Sequence, residues 1–217
     1  SVQLERLESP GRPAREALFY SGSPDSDELN VPGCTHWLRL LSNFHQLRVP
    51  LEVRGRQYRT VEHYYQSAKS THMCDHAHAL TFSIGGPSYV GCSGADAKKA
   101  SNKLCTESWR AAQDNVMIQA LQARAKVDKE FVSVLKASQS MTLLHYESKG
   151  ASSYWGGSYD EHGRFVGRNR LGQMLMDVRR SLVTEADGQS SKMAETCSTD
   201  TSSVLVVGIS GCRAPPE

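Results

Sequence analysis

The chain has 217 residues, 39% hydrophobic and 22% charged, with Lys plus Arg (25) nearly balancing Asp plus Glu (23). That length holds one sizeable domain with a real core, and the composition excludes a wholly disordered or collagen-like chain. A formal charge of +2 carries no general nucleic-acid signature, and the longest apolar run, Val204–Ile209, is far too short to cross a bilayer.

In chain order, residues 1–16 are polar and proline-bearing and are expected to fray. Ala17–Tyr20 predicts a short strand, and Ser21–Asn30 a loop. Leu38, Leu40, Leu41, Phe44 and Leu47 introduce the core, and Pro50 stops any helix there. The stretch LEVRGRQY, Leu51 to Tyr58, predicts two short strands with Gly55 at the turn. Thr60 caps a helix that begins at Val61. Glu62 sits in its first turn, where free N–H groups and the helix dipole favour a negative side chain. Ser83–Ala95 is a glycine-rich loop without the Gly-Lys-Ser/Thr ending of a phosphate loop. Helical periodicity returns at Trp109, Ala112, Val116 and Ala120. It recurs at Phe131, Val134 and Leu135 after Asp128, and at Leu171, Leu175, Val178 and Leu182. Helices around a minor sheet of short strands, with no β-α-β alternation, make a mainly α domain of α+β type. The expected layout is a frayed 1–16, a compact domain over 17–183, and a polar, flexible 184–217. Within that tail, 204–209 has the composition to dock as an edge strand.

The cysteines are Cys34, Cys74, Cys92, Cys105, Cys197 and Cys212, with no C-x-x-C pair. Reduced, mostly structural thiols are expected, in an intracellular protein of cytoplasm or nucleus. The first 30 residues also lack an apolar signal core. His72, Cys74, His76 and His78 are zinc ligand types. Their steps of two do not suit one helical face, although His72 and His76 would share it, and no cysteine pair of structural zinc spacing follows, so no metal site is expected.

Two stretches carry candidate chemistry. Glu62, Gln66 and Lys69 are spaced by four and three residues, so all three project from one helical face, with Glu62 and Lys69 about 20° apart around the axis. Tyr64, Tyr65 and Ala68 cover another arc. A partly buried lysine has a lowered pKa and can attack an aldehyde carbon, and a carboxylate beside it can exchange protons. The same spacing also suits an ordinary solvated helix face. The second stretch is Ser153–Arg180. Tyr154 and Trp155 precede Gly156 and Gly157, which makes a surface on which a flat ring can stack. Arg164, Arg168 and Arg170 add positive charge, and Asn169 is placed to cap the next helix, its amide or the helix N–H groups facing an anion. The plainer reading has Trp155 in the core, the glycines as turn residues and the arginines solvated.

These motifs resemble a known family. Leu41-Ser42-Asn43-Phe44 followed by Thr60-Val61-Glu62-His63-Tyr64-Tyr65-Gln66-Ser67-Ala68-Lys69 resembles the opening signature of the NADAR, or YbiA-like, family. Trp155-Gly156-Gly157, then Gly167-Arg168-Asn169-Arg170-Leu171-Gly172, Leu175-Met176 and Val178-Arg179 resemble its closing signature. The resemblance spans about residues 17–183. It implies a single compact, mainly helical domain and an N-glycosidase that needs no metal or redox cofactor. Implied substrates are ADP-ribose attached to guanine bases, in nucleic acid or nucleotides. The alternatives are phosphorylated ribosylamino-pyrimidine intermediates of riboflavin synthesis, or ADP-ribose bound without turnover. By position, Glu62 matches the active-site acid and Lys69 the lysine proposed to form a Schiff base with the opened ribose. Asn43, Gln66 and Trp109 match positions near the pocket. Glu147, Tyr154, Trp155, Gly156, Arg168 and Asn169 fall in or before the closing signature, where substrate contacts are expected. Thr106, Ser108 and Ser152 stand where many members carry Arg, Asp or Asn, and Asp.

Overall fold

The computed structural model describes the backbone of residues 15–197 and the side chains as far as Thr184. Strand β1 (Arg15–Phe19) pairs in parallel with β4 (Met141–His145), from Arg15 opposite Met141 to Phe19 opposite His145. Period-two alternation turns Ala17 and Phe19 inward into the cluster that holds buried Met141 and Leu143. Pairing therefore reaches two residues into the segment expected to fray, and β4 itself was not foreseen.

The expected hairpin is formed by β2 (Leu51–Val53) and β3 (Arg56–Tyr58). Its two turn residues, Arg54 and Gly55, have φ of 53° and 72°. A two-residue turn of this kind matches the strands' twist, and only glycine takes it without strain. A last pair, β5 (Ser158–Tyr159) with β6 (Phe165–Val166), is antiparallel. The domain is mainly helical, as expected. Its described strands form three separate two-stranded sheets rather than one.

Helix α2 (Val61–His72) is the central element, and it packs on α3 (His76–Leu80), α4 (Gly94–Ala100) and α5 (Glu107–Val127). Thr60 caps it as predicted, its hydroxyl accepting the His63 N–H at 3.2 Å. Because neighbours cover it on several sides, even its polar residues Glu62, His63, Gln66 and Ser67 are buried. Helix α4 starts at the end of the expected Ser83–Ala95 loop and is an element the sequence pattern did not show. Ser93 and Asp96 cap it reciprocally, and Ala97 is its buried contact.

The short α1 (Trp37–Leu40), α6 (Lys129–Ala137) and α7 (Arg170–Cys197) complete the helices that hold the core. Trp37, Leu40, Leu41, Phe131, Leu143 and Leu175 are fully buried in one cluster. Arg124 of α5 lies among them at 1% exposure. Its guanidinium donates to Asp128 at 2.9 Å and to the Ser42 carbonyl at 3.3 Å, and it lies 4.1 Å from the Phe131 ring centroid. Asp128 in turn caps α6 by accepting the Phe131 N–H at 3.0 Å.

The segment around Trp155 docks tightly on β4. A Cβ on Gly156 would meet the His145 carbonyl oxygen at 2.3 Å, and one on Gly172 the Leu143 carbonyl oxygen at 2.1 Å. These glycines serve close backbone approach, where the plainer sequence reading made Gly156 a turn residue. The backbone of α7 is helical to Cys197, past the point where an aperiodic tail was expected. Residues 185–197 contain good helix formers and no proline. Residues 198–217, with the run expected to dock at 204–209, lie outside the described residues. By compactness the chain divides into Ser1–Leu182 and Val183–Glu217. Among the described residues, no helix is long and apolar enough to cross a membrane. Among the described residues, Cys34, Cys74, Cys92 and Cys105 are unbonded and only Cys34 is buried, so the other three described thiols do not fill the expected structural role.

Candidate active site

A cleft of about 320 Å³ opens where α2, α4, the Ser42–Phe44 segment and the end of β4 meet. Asn43, Glu62, Tyr65, Lys98, Glu147 and Trp155 line it, with His145, Phe44 and Tyr20 beside them. Glu62 is at its floor, 5% exposed. The α2 register sets this position: the Glu62 backbone N–H donates to the Asn43 carbonyl at 3.1 Å, which ties the first turn of α2 to the Ser42–Phe44 segment.

The Glu62 carboxylate accepts from Gln66 Nε2 at 2.7 Å, and Lys98 Nζ stands 3.9 Å away. Burial pushes its carboxyl above the usual carboxylate range. Lys98 and the Gln66 hydrogen bond oppose that shift, the Glu147 charge adds to it, and the more remote Lys69 opposes it. Lys98 is itself half-exposed, so the attraction across 3.9 Å is diluted by solvent. The result is a carboxyl with raised proton affinity at the bottom of a half-open cleft. Glu147 accepts a hydrogen bond from the Ser153 hydroxyl, and its N–H donates to the Gly157 carbonyl at 2.8 Å. His145 Nδ1, Asn43 Oδ1 and Gln66 Oε1 are buried atoms with no protein partner. Of these, His145 and Asn43 line the cleft, whereas Gln66 does not.

One wall is aromatic. Tyr65 meets Trp155 edge-on at 5.5 Å, Trp155 meets Tyr154 edge-on at 5.1 Å, and Tyr65 tilts against Trp109 at 5.2 Å. Trp155 is partly buried and keeps a face on the cleft, so it combines the two readings made for it.

The structure thus brings Asn43, Glu62, Glu147 and Trp155 together on the cleft. Gln66 reaches it through Glu62. The remaining expected residues serve elsewhere. Trp109 is core, at 1% exposure. The Tyr154 hydroxyl donates to Asp114 at 2.7 Å. Gly156 is the close-contact point on β4. Asn169 has φ 47°, and its amide bridges β4 by accepting the His145 N–H and donating to the Leu143 carbonyl, both at 2.9 Å. That amide is therefore not free for an anion. Arg168 lies 5.6 Å from the Tyr154 ring, Arg164 pairs with Asp160 at 3.0 Å, and Arg170 pairs with Asp114 at 2.7 Å. The cations on the cleft are Lys98 and Lys149 instead.

Lys69 is half-buried and donates to the Asn102 carbonyl at 2.8 Å, in the coil after α4, and it does not line the cleft. Burial pulls its pKa down, nearby Lys98 and Lys103 pull in the same direction, and Cys105 and Glu62 pull against them. Lys98 was the residue missed. The signal for it was present in Ser93-x-x-Asp96, a helix-start signature one turn before it.

The three departures from the family pattern all have local roles. Thr106 caps α5 through the Trp109 N–H at 3.2 Å, Ser108 Oγ is 3.1 Å from His72 Nε2, and Ser152 bonds the Lys149 carbonyl at 2.9 Å. The alternating histidines do not converge. His72 faces Ser108, and His78 Nδ1 is 3.1 Å from Ser70 Oγ.

The description of the NADAR domain matches residues 34–183. The chain belongs to the NADAR family. Its relatives include "N-glycosidase YbiA" of Escherichia coli (strain K12), 29% identical over 137 residues, which are 63% of this chain and 78% of that protein. The protein of the same name from Shigella boydii serotype 4 is 28% identical over the same shares. The NMR structure of the E. coli protein YbiA superposes with a TM-score of 0.56 at 26% identity, covering 81% of this chain and 89% of that one. Most of the cleft lies within the NADAR span, but Tyr20 and Ser21 precede it.

Proposed function

We propose that the cleft is the active site of an N-glycosidase that hydrolyses the bond between ribose C1 and nitrogen. The observation that carries this is Glu62: a buried carboxyl, held by Gln66, facing a second carboxylate and an aromatic wall. The relatives named N-glycosidase add support. Asn43 Oδ1 is an acceptor suited to a ribose hydroxyl. Trp155 offers its face to the base or the sugar ring. Lys98 and Lys149 attract phosphates at the mouth.

Two routes fit these residues. In one, the C1–N electrons leave with the nitrogen, the water oxygen bonds C1 as Glu62 takes the water proton, and Glu62 passes that proton to the departed nitrogen. In the other, Glu62 moves protons to open the ribose. Neutral Lys69 then adds at C1, the nitrogen leaves, and water hydrolyses the resulting imine. The amine route requires Lys69 to leave the Asn102 carbonyl, swing towards C1 and lose its proton, a loss that the burial-lowered pKa favours.

The substrate we favour is guanine carrying ADP-ribose, in nucleotides or nucleic acid. A cleft near the lower end of the usual pocket range admits a ribose and a ring. The diphosphate and the rest of the polymer would run out past the two lysines. A phosphorylated ribosylamino-pyrimidine fits the same chemistry and is the comparison substrate.

Borohydride reduction during turnover separates the routes. The amine route predicts a covalent sugar adduct that disappears in Lys69→Ala. An adduct that survives Lys69→Ala and is lost in Lys98→Ala moves the nucleophile to α4. Turnover with no adduct in any variant leaves the water route.

A further inference from the structure

Away from the cleft, Cys34, His36 and Glu130 bring a thiol, an imidazole nitrogen and a carboxylate oxygen within 4.8 Å of one another. We propose that these three residues form a zinc site that clips the loop before α1 to the first turn of α6. The sequence reading expected no metal. The reason is separation along the chain: only the fold carries Glu130 to a Cys-x-His pair almost a hundred residues earlier.

The ligand set mixes sulfur, nitrogen and oxygen, which suits a borderline-soft ion that accepts all three. A tetrahedral zinc with bonds of about 2.0–2.3 Å spaces its ligand atoms about 3.3–3.6 Å apart. His36 Nε2 and Glu130 Oε1 are already 3.5 Å apart, longer than a good hydrogen bond and equal to such an edge. No two of the three atoms are more than 4.8 Å apart, so the widest pair exceeds that edge by at most about 1.5 Å, which side-chain rotation closes.

Both halves are held in place by other bonds. Ser26 N–H donates to the Thr35 carbonyl at 2.7 Å and Cys34 N–H to the Val31 carbonyl at 3.1 Å. Asp128 fixes the start of α6. His36 occupies the N-cap position of α1 yet makes no side-chain cap bond, and its ring stacks on His45 at 6.3 Å. The imidazole is therefore oriented without being used by the helix. Cys34 is buried, while the His36 and Glu130 side chains are 30% and 33% exposed. The ion thus has a path in and a fourth position for water. Three protein ligands fix the ion, and its binding to the folded chain alone would stabilise the fold.

The test uses the full chain freed of metal by a chelator. Zinc is titrated against a chromophoric competitor, and cobalt(II) replaces it for spectroscopy. The site predicts one zinc per chain, a tetrahedral cobalt spectrum with a thiolate charge-transfer band, and a rise in Tm on metal addition. Removing a ligand costs more than disturbing its support, so Cys34→Ser and Glu130→Gln each lower zinc affinity by about 100-fold or more. His76→Ala leaves it unchanged. If Cys34→Ser fails to fold, Glu130→Gln and His36→Gln, at partly exposed positions, give the same readout. No stoichiometric binding overturns the site. So does affinity that ignores Cys34→Ser and Glu130→Gln, or that is lost in Cys74→Ser or His76→Ala instead.

Discussion

Glu62→Gln lowers kcat by about 10²–10⁴-fold, the usual share of a general acid or base, while substrate Kd changes little and the fold is kept. The amide is nearly the same shape and can still bond Gln66, so binding contacts survive while proton exchange is lost. Stability moves the opposite way to activity. The Glu62 pKa is raised above its ordinary 4.5 in the folded chain, chiefly by burial. Between 4.5 and that raised value, the folded chain holds a proton that the unfolded chain has lost. Stability therefore falls as pH rises through this window, and the buried charge is a cost at neutral pH. Glu62→Gln removes that cost. At pH 7 the variant is at least as stable as the parent, and its advantage disappears below about pH 4.5. Urea unfolding at both pH values, alongside single-turnover kinetics, checks this. An unchanged kcat removes Glu62 from the chemistry. A variant clearly less stable at pH 7 means the carboxylate is better solvated than its burial implies.

The second large effect lies outside the cleft. Arg124→Ala costs about 3–5 kcal/mol, the range for breaking a buried ion pair from one side. The loss leaves Asp128 without its cation, frees the Ser42 carbonyl and empties the space over the Phe131 ring. Arg124→Lys restores the charge but not the planar fork, so it recovers only part of the loss. Because Ser42 adjoins Asn43 on the cleft, substrate affinity weakens along with stability. Equilibrium denaturation reads the first effect, and a loss below about 1 kcal/mol would show the pair to be energetically idle.

Local signals in the sequence account for much of this molecule. Thr60 with Glu62, the Asp128 cap, the turn at Gly55 and the three helical stripes depend on neighbours a few residues away, and each appears where expected. Glu62 stood out by helical spacing and Trp155 by the Gly-Gly pair after it, and the NADAR likeness then gave each an expected role. Lys98 was hidden because it sits on a seven-residue helix, too short to show a period, just after the glycine-rich loop, and the cap signal spans only Ser93–Asp96. β4 was hidden because a five-residue apolar run, Met141–His145, has no period long enough to tell strand from helix. Asn169 and Arg168 were given to substrate because their charge and polarity are visible. Their partners, β4 and Tyr154, are set by tertiary packing alone. Lys69 shares a helical face with Glu62, but its long side chain finds the Asn102 carbonyl, and no spacing rule predicts where a flexible lysine ends.

The most direct test is product analysis after the purified chain is incubated with guanine-linked ADP-ribose and, separately, with a phosphorylated ribosylamino-pyrimidine. The account predicts release of the free base or amine with the matching sugar phosphate from at least one of them, guanine release being the faster, and none from Glu62→Gln. Saturable binding of both compounds with no cleavage by the parent chain would contradict it.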